Sequence, residues 1–260
     1  MKYGFIGCGN MGSAIAKALA GSTRDILLSD RSGKAKAIAQ QLGCSYGTAP
    51  EAAACQYVFL AVKPQGMAAV LQELQPVLQK KKPVLISMAA GMTVSTVESL
   101  AGGNLPVVRI MPNTPVAVGK GVVQYCSNTL VTEDALQDLL QDLSPAGLLD
   151  PIAECLMDAA TSVSGCGPAF VYLFLDALAQ GGEACGLSRE KATQYAAQTL
   201  IGAAQMVMET GLSPRELADK VCSPGGSTIE GVKVLENQGL LATVKDCVNA
   251  SFRKNQQLGK

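Results

Sequence analysis

The chain has 260 residues, of which 48% are hydrophobic, and its 21 acidic residues balance its 21 basic ones. This composition is typical of a globular protein that buries a sizeable core. A net charge of zero excludes a strong global field for nucleic acid or for an anionic membrane, and it favours a small-molecule ligand.

Histidine is absent from the chain. Its absence excludes Ser-His-Asp and Cys-His catalysis and histidine-ligated metal sites, so no metal site is predicted. The nine cysteines include no C-x-x-C pair, which indicates a reducing compartment and predicts a cytoplasmic protein. Three early glycines interrupt the first apolar segment, so we expect no signal peptide, and the apolar run at residues 169–175 is too short to span a bilayer.

The first predicted element is a short strand at residues 2–6, followed by a glycine elbow and a small-residue helix at residues 13–20. In such a turn Gly7 permits the tight bend, Gly9 lets backbone approach a diphosphate, and Gly12 lets helix and strand pack closely. A second strand at residues 26–29 ends in Asp30, which is the position of a ribose-binding acid. This arrangement predicts dinucleotide binding; the alternative is a glycine-rich turn without a ligand.

Short strands and helices then alternate, which is typical of a parallel sheet covered on both faces. Thr48 and Glu51 form a capping-box pattern that predicts a short helix through residue 54. Loops follow the predicted strands at residues 57–60, 84–86 and 107–110, and they should meet the glycine elbow at the carboxyl edge of the sheet. Further elements are predicted as helices at residues 32–42, 64–78 and from 132, and strands at residues 44–46, 122–125 and 148–149.

The second half has helical periodicity and no convincing strand. We place a domain boundary near Pro151, which gives a dinucleotide-binding domain at residues 1–151 and an all-helical domain at residues 152–260. The helix that begins at Pro168 is almost uncharged, so we expect it to be buried, against another subunit. The predicted helices cover residues 154–160, 168–180, 189–209, 214–220, 228–237 and 240–256.

A second glycine loop occupies residues 222–230. Ser227 and Glu230 fit a capping box, which predicts a helix that begins at Thr228. Gly225 and Gly226 would let an anion approach the free N–H groups of this helix, so the loop is a candidate carboxylate site. The alternative is a plain helix cap after a Pro-Gly turn.

Together, several motifs resemble pyrroline-5-carboxylate reductases over essentially the whole chain. They are the glycine elbow and the segments at residues 61–64, 89–91, 111–115, 164–169 and 223–228. The resemblance implies a doubly wound, mostly parallel Rossmann-type α/β domain and an all-helical dimerisation domain. It also implies reduction of 1-pyrroline-5-carboxylate to L-proline by NADPH or NADH, in a homodimer with interleaved helical domains that can assemble into a decamer, with no nucleic acid or membrane partner.

The resemblance implies the following site residues. The cofactor would contact Gly7, Cys8, Gly9, Asn10, Met11, Gly12, Asp30, Arg31, Ser32, Thr48, Ala61, Val62, Lys63, Pro64, Met88, Ala90, Asn113 and, from a neighbouring subunit, Lys220. The substrate would contact Glu154, Gly225, Gly226, Ser227 and Thr228. The catalytic candidates are Thr228, as hydrogen-bond partner of the ring nitrogen, and Lys63, which would orient the nicotinamide or steer the anionic substrate.

Three of these residues have structural alternatives. Lys63 can be a solvated lysine at a strand end, Glu154 a carboxylate favoured by a helix start, and Thr48 only an N-cap. The choice of cofactor also stays open, because Asp30 suits NAD whereas Arg31, Ser32, Lys34 and Lys220 suit the 2′-phosphate of NADP. The family resemblance favours NADP, with NAD as the alternative.

Two other functions fit part of the sequence. Hydroxyacid dehydrogenases of the 6-phosphogluconate type share this layout but resemble one another in a catalytic lysine on the first long helix between the domains, and residues 168–180 contain no Lys or Arg. A dinucleotide sensor would keep the fold without turnover. A damaged substrate loop would mark such a sensor, and residues 224–228 are intact.

Overall fold

The computed structural model describes residues 1–258. The described residues form one eight-stranded sheet, whose strands are β1 (Tyr3–Ile6), β2 (Ile26–Ser29), β3 (Ser45–Tyr46), β4 (Tyr57–Leu60), β5 (Val84–Ser87), β6 (Val107–Pro112), β7 (Gly121–Ser127) and β8 (Gly147–Pro151). The strand order is β3-β2-β1-β4-β5-β6-β7-β8. Only the pairing of β6 with β7 is antiparallel within this sheet. The prediction of a mostly parallel sheet is confirmed.

Six helices belong to the sheet half of the chain: α1 (Asn10–Leu19), α2 (Lys34–Leu42), α3 (Ala49–Ala53), α4 (Pro64–Lys81), α5 (Val94–Leu100) and α6 (Glu133–Leu143). Helices α1, α2 and α6 contribute to one buried cluster with Phe5 of β1, and α3, α4 and α5 contribute to another with Ile6 of the same strand. Because neighbouring residues of a strand point to opposite faces, the two clusters cover the two faces of the sheet. The sheet is therefore doubly wound.

Local sequence signals explain most helix boundaries. The Thr48–Glu51 capping box is formed, with Thr48 Oγ1 accepting from the Glu51 N–H and the Glu51 carboxylate accepting from the Thr48 N–H. Thr132 caps α6, which agrees with the predicted start of this helix near residue 132. Helix α5 was not predicted, because its five-residue start from Thr93 is rich in β-branched residues that have low helix propensity.

The remaining described elements are helical: α7 (Met157–Ser164), α8 (Gly167–Ala184), α9 (Arg189–Thr210), α10 (Pro214–Val221), α11 (Ser227–Asn237) and α12 (Leu240–Leu258). Short 3-10 helices lie at Thr114–Val118, Ser144–Ala146 and Glu154–Leu156. Helices α8 and α9 pack through Ala179, Ala192 and Ala196, which are buried. The prediction of an all-helical second half is confirmed.

The chain divides into two compact units, Met1–Cys166 together with the segment from Ser251 onward, and Gly167–Ala250. In the first unit the Asn255 amide, at the end of α12, donates to the Asp158 carbonyl and the Ser162 hydroxyl of α7. The last strand ends at Pro151, but the first unit continues through α7. A boundary at residues 151/152 therefore stays a prediction.

The helix after Pro168 is largely exposed within the single chain. Along α8 only Ala179 is buried, and the Leu173 side chain is 72% exposed. The stretch Glu154–Ala184, which includes α7 and α8, is long and apolar enough to cross a membrane by length and composition alone. The estimate from residues 169–175 missed this, because the charged Asp176 does not interrupt the apolar character of the longer stretch.

Candidate functional site

The glycine elbow has the geometry that its sequence predicts. Gly7 has a positive φ of 102°, and a Cβ there would lie 2.6 Å from the Ala61 carbonyl oxygen. A Cβ at Gly12 would lie 2.5 Å from the Gly7 carbonyl oxygen, so only glycine lets α1 approach the strand this closely. A Cβ at Gly9 would meet nothing within 4 Å. Gly9 therefore leaves open space beside the N-terminus of α1, where a diphosphate would bind.

A cavity of about 470 Å³, which we call the glycine-loop cavity, opens at this elbow. Lys63 caps α4 and Pro64 is its first residue, so both lie where β4 ends. The segment after β5 also lines the cavity. The cavity thus brings together ten predicted cofactor residues: Gly9, Asn10, Met11, Gly12, Ala61, Val62, Lys63, Pro64, Met88 and Ala90.

A second cavity of about 600 Å³, the α4 cavity, lies between the ends of β1 and β2 and the face of α4. Five predicted cofactor residues line it, namely Gly7, Asp30, Arg31, Thr48 and Val62. The Arg31 guanidinium forms an exposed ion pair of 2.9 Å with Glu73 of α4 across this cavity. Thr48 is the N-cap of α3 and also lines the cavity. A capping role and a contact with the cofactor are therefore compatible for this residue.

Asp30 is held by the loop that follows it. One carboxylate oxygen accepts from the Ser32 hydroxyl at 2.5 Å and the other from the Ala35 N–H at 3.1 Å. Desolvation raises the pKa of Asp30, but the hydrogen bonds from Ser32 and the backbone of α2 outweigh it and lower the pKa overall. The carboxylate is therefore ionised and already partly satisfied before any ribose binds.

A third cavity, the α1–α2 groove, has a volume of about 400 Å³. Cys8, Gly9 and Asn10 form its end at the glycine elbow, and Lys17 and Lys34 line its sides. Burial raises the pKa of the Cys8 thiol to about 12, with a further contribution from the Asp30 charge. Cys8 is thus a buried, protonated thiol rather than a nucleophile, and its contact with the cofactor stays a prediction.

Glu154 lies in a fourth cavity, the Arg109 cavity, which also includes Gly91, Thr93 and Asp158. The Glu154 carboxylate accepts from the Val94 N–H at 2.7 Å and from Arg109 Nη1 at 3.1 Å. Arg109 is only 3% exposed. These hydrogen bonds join β6, α5 and the segment after β8, which supports a structural role for Glu154. Contact of Glu154 with the substrate stays a prediction. Sequence reasoning missed this ion pair, because its partners are 45 residues apart.

Asn113 does not line any of the four cavities. Its amide donates to the Ser164 carbonyl at 3.0 Å, and its side-chain oxygen accepts from the Val122 N–H at 2.9 Å. It is 7% exposed. Asn113 therefore ties β6 to β7 and α7, and its contact with the cofactor stays a prediction.

The second glycine loop corrects one prediction. Helix α11 begins at Ser227, its N-cap is Gly226, and no side chain caps it. The predicted Ser227–Glu230 capping box is wrong, because Gly226 takes the extended N-cap conformation itself (φ −78°, ψ 164°). Gly225 is left-handed at φ 72° and the Gly226 N–H donates to the Ser223 carbonyl, which forms a tight turn. The first N–H groups of α11 consequently have no side-chain acceptor from their cap.

The loop belongs to the second compact unit, as does Lys220 in the last turn of α10. Ser223, Gly225, Ser227 and Thr228 are exposed in this chain. The predicted substrate residues Gly225, Gly226, Ser227 and Thr228 therefore form one local turn. Their approach to the cofactor cavities is a prediction.

Comparison with known proteins decides the family. Residues 154–258 match the family model described as "Pyrroline-5-carboxylate reductase dimerisation", and residues 2–91 match "NADP oxidoreductase coenzyme F420-dependent". The pyrroline-5-carboxylate reductase of Escherichia coli is 37% identical over 100% of this chain and 98% of its own, and that of Aquifex aeolicus is 36% identical over 99% and 97%. This chain belongs to the pyrroline-5-carboxylate reductase family.

Solved structures of pyrroline-5-carboxylate reductases support the same family assignment. The NADP-bound pyrroline carboxylate reductase of Plasmodium falciparum has a TM-score of 0.89 at 33% identity, over 100% of this chain and 98% of that one. The Streptococcus pyogenes enzyme gives 0.90 at 33% identity, over 99% and 98%. The chain is accordingly an oxidoreductase that reduces 1-pyrroline-5-carboxylate to proline with NADP as its cofactor, and the match to a dimerisation model indicates a homo-oligomer.

The residues described above fit NADP, the cofactor of this pyrroline-5-carboxylate reductase. The open space at Gly9 lies at the start of α1, where backbone N–H groups and the helix dipole favour a diphosphate. The α4 cavity and the glycine-loop cavity share Val62, and residues of the elbow line both of them. They have the volumes of small-molecule sites, so one cavity can take the adenosine half and the other the nicotinamide half.

Proposed function

We propose that the glycine-loop cavity holds the nicotinamide and that the turn at residues 223–228 holds the carboxylate of 1-pyrroline-5-carboxylate. The observation that carries the first part is the convergence of the glycine elbow, Lys63 and the Met88–Ala90 segment on one cavity. The second part is supported by the uncapped start of α11 after Gly225 and Gly226. A helix start of this kind favours an anion.

Thr228 would accept a hydrogen bond from the protonated ring nitrogen. When bound, NADPH would supply the hydride that adds to the imine carbon, and the electron pair of the C=N π bond would stay on nitrogen as the secondary amine of proline. The protonated imine needs no further proton, so the chain can act by alignment alone, in agreement with its lack of histidine.

Lys63 would orient the nicotinamide or attract the anionic substrate. Its backbone is fixed as the N-cap of α4, with φ −65° and ψ 148°, directly before Pro64. Lys63 lines the glycine-loop cavity. A lysine there supplies a positive charge beside a cavity that receives an anionic substrate.

The exposed apolar surface supports an assembly of several copies. We propose a homodimer in which the helical domains interleave, with further assembly into a decamer, and a cytoplasmic protein without a membrane or nucleic-acid partner. The region matched by the dimerisation model, residues 154–258, contains most of the exposed large hydrophobic side chains among the described residues. A second copy would cover the apolar stretch Glu154–Ala184 that could otherwise be read as a membrane span.

The role of Thr228 is tested with Thr228→Ala and the matched control Thr243→Ala, an exposed helical threonine whose hydroxyl donates to the Gly239 carbonyl. We expect Thr228→Ala to lower kcat/KM for 1-pyrroline-5-carboxylate about ten- to a hundredfold, the effect of one hydrogen bond to a charged group. NADPH affinity should not change. The control should keep the wild-type kcat/KM, and an equally active Thr228→Ala enzyme would contradict the assignment.

A further inference from the structure

An ion pair joins the two helices on either side of the second glycine loop, and all of its parts belong to the second compact unit. Arg215 is the second residue of α10, and Glu236 is the last but one of α11. Arg215 Nη1 lies 2.5 Å from the Glu236 carboxylate, and we call this contact the α10–α11 bridge. We propose that Arg215 is a positioning residue for the reaction: through this bridge it sets the direction of α11, whose first N–H groups then meet the carboxylate of 1-pyrroline-5-carboxylate.

Packing within the chain does not fix the angle between α10 and α11. Neither helix contains a buried residue. The link between them includes Gly225, left-handed at φ 72°, and glycine has more backbone freedom than other residues. Among the hydrogen bonds and ion pairs of residues 1–258, the α10–α11 bridge is the one side-chain contact between these two helices. The angle therefore depends on the bridge.

The α10–α11 bridge lies far from the glycine loop on both helices. Arg215 precedes the end of α10 by six residues, about 9 Å along the axis, and Glu236 follows the start of α11 by nine residues, about 13 Å. Two rigid helices can rotate about a flexible link, whereas a contact between their distant parts closes a triangle. The bridge therefore restricts rotation of α11 about the loop.

Local contacts hold the Arg215 guanidinium in place for this role. Its Nε lies 3.1 Å from the carboxylate of Asp219, one turn further along α10. The start of α10 is fixed by a capping box, in which Ser213 Oγ accepts from the Glu216 N–H and the Glu216 carboxylate accepts from the Ser213 N–H. The planar guanidinium thus contacts two carboxylates, and a network of charges holds a geometry better than a single exposed pair does.

A positive charge at Arg215 could instead act at a distance, by attracting the anionic substrate. The two effects differ at Glu236. If charge alone acted, Glu236→Gln would make the surroundings more positive and would lower KM for 1-pyrroline-5-carboxylate. If the bridge acts through the direction of α11, loss of either partner raises KM. The double variant should then equal each single variant, because all three remove the same interaction.

This inference rests on the proposed substrate site at residues 223–228, so Thr228→Ala is measured alongside. Kinetics of the full chain with NADPH are compared for Arg215→Gln, Glu236→Gln and the double variant. Calorimetry with L-proline in the presence of NADPH, which cannot react with it, gives a readout without turnover. The matched control is Arg189→Gln, since Arg189 is an exposed arginine of the same unit that pairs with two carboxylates of α8.

We expect Arg215→Gln and Glu236→Gln each to raise KM for 1-pyrroline-5-carboxylate and Kd for L-proline about threefold, in the range of an exposed ion pair. The kcat should stay within about twofold of the wild type, because saturating substrate selects the correctly directed helix. Partial unfolding would instead lower kcat at an unchanged KM, because less active enzyme is present. Arg189→Gln should match the wild type.

Three results would overturn the role of Arg215. They are an unchanged KM in Arg215→Gln, KM changes of opposite sign in the two single variants, and an equal rise of KM in Arg189→Gln. A loss of kcat at unchanged KM would also contradict it, since the bridge would then support the fold alone. A Thr228→Ala enzyme with wild-type kcat/KM would show that the proposed substrate site itself fails, whereas an impaired Thr228→Ala enzyme beside unaffected bridge variants contradicts only the role of Arg215.

Discussion

Two glycines of one elbow serve different purposes at the residue scale. A Cβ at Gly12 would meet backbone at Gly7 and the Ala61 side chain at 2.8 Å, whereas a Cβ at Gly9 would meet open space. Gly9 also has an ordinary negative φ of −70°. Gly12 is therefore required for packing, and Gly9 for access of a ligand to backbone N–H groups.

Alanine at these two positions should separate stability from binding. We expect Gly12→Ala to lower the free energy of unfolding by about 2–3 kcal/mol, because rigid backbone has to move. Gly9→Ala should cost within about 1 kcal/mol, the difference between Gly and Ala at an N-cap. It should nevertheless weaken NADPH binding. Urea unfolding and a cofactor titration of both variants check this, and a Gly9→Ala protein with unchanged NADPH affinity would contradict it.

Single residues also show where sequence reasoning ends. The roles of Gly7, Gly9 and Gly12 follow from their spacing, because steric limits on the turn are local. Two other features depend on backbone angles, which spacing does not determine. One is the pair of hydrogen bonds that the Asp30 carboxylate accepts from Ser32 and Ala35. The other is the N-cap of α11, which is Gly226 rather than Ser227. The Arg109–Glu154 pair is a tertiary contact, so a single sequence contains no signal for it.

At the scale of elements, a polar network attaches α6 to the sheet. Lys2 Nζ lies 2.6 Å from Asp138 and 2.7 Å from Asp142, and the Tyr57 hydroxyl donates to Asp138 at 2.8 Å. Desolvation raises the pKa of Asp138, but the bonds from Lys2 and Tyr57 lower it overall from 3.8. The ionised carboxylate is therefore the form that stabilises the contact between α6 and β1 and β4.

This network predicts a pH-dependent stability. Since the folded pKa of Asp138 is depressed, its contribution is present above the unfolded pKa of 3.8 and is lost as pH falls through the folded pKa. We expect Asp138→Asn to lower the free energy of unfolding by about 1 kcal/mol at neutral pH. This difference should shrink on acidification to about pH 3.

Urea unfolding at the two pH values measures the effect. The control is Asp134→Asn, which makes the same change of charge in the first turn of α6 and should show a smaller pH-dependent difference. Equal stability of the wild type and Asp138→Asn at neutral pH would show that Lys2 and Tyr57 do not stabilise the attachment through this carboxylate.

Element boundaries were predictable where a local cap or glycine sets them. Thr48, Pro64 and Thr132 mark the starts of α3, α4 and α6, and the structure confirms all three. Helix α5 escaped prediction because Val94 and Thr96 have low helix propensity. Its first N–H is held instead by the distant Glu154 carboxylate.

At the scale of the whole molecule, the exposed apolar side chains of α8 need a cover. Leu173 is 72% exposed and Tyr172 59%, within a region that matches a dimerisation model. Contiguous exposed apolar surface of this kind marks an interface with another molecule. Burial of this helix against another subunit therefore stays a prediction, because the single chain leaves its apolar face uncovered.

Charge on this surface should reduce the assembly. We expect Leu173→Glu to lower the mass measured by light scattering, because an unpaired charge in an apolar interface is costly. Leu148→Glu is the control, since Leu148 is 56% exposed on β8 and lies outside the matched dimerisation region. A Leu173→Glu protein with the wild-type mass would place the interface elsewhere.

The central claim is that this chain transfers hydride from NADPH to 1-pyrroline-5-carboxylate. The most direct measurement follows the loss of reduced-nicotinamide absorbance on addition of this substrate, with NADPH and NADH in parallel and with proline quantified in the same samples. We predict substrate-dependent oxidation, equal amounts of oxidised cofactor and proline, and faster turnover with NADPH. Binding of both cofactors without oxidation of either would contradict the account and would favour a dinucleotide sensor.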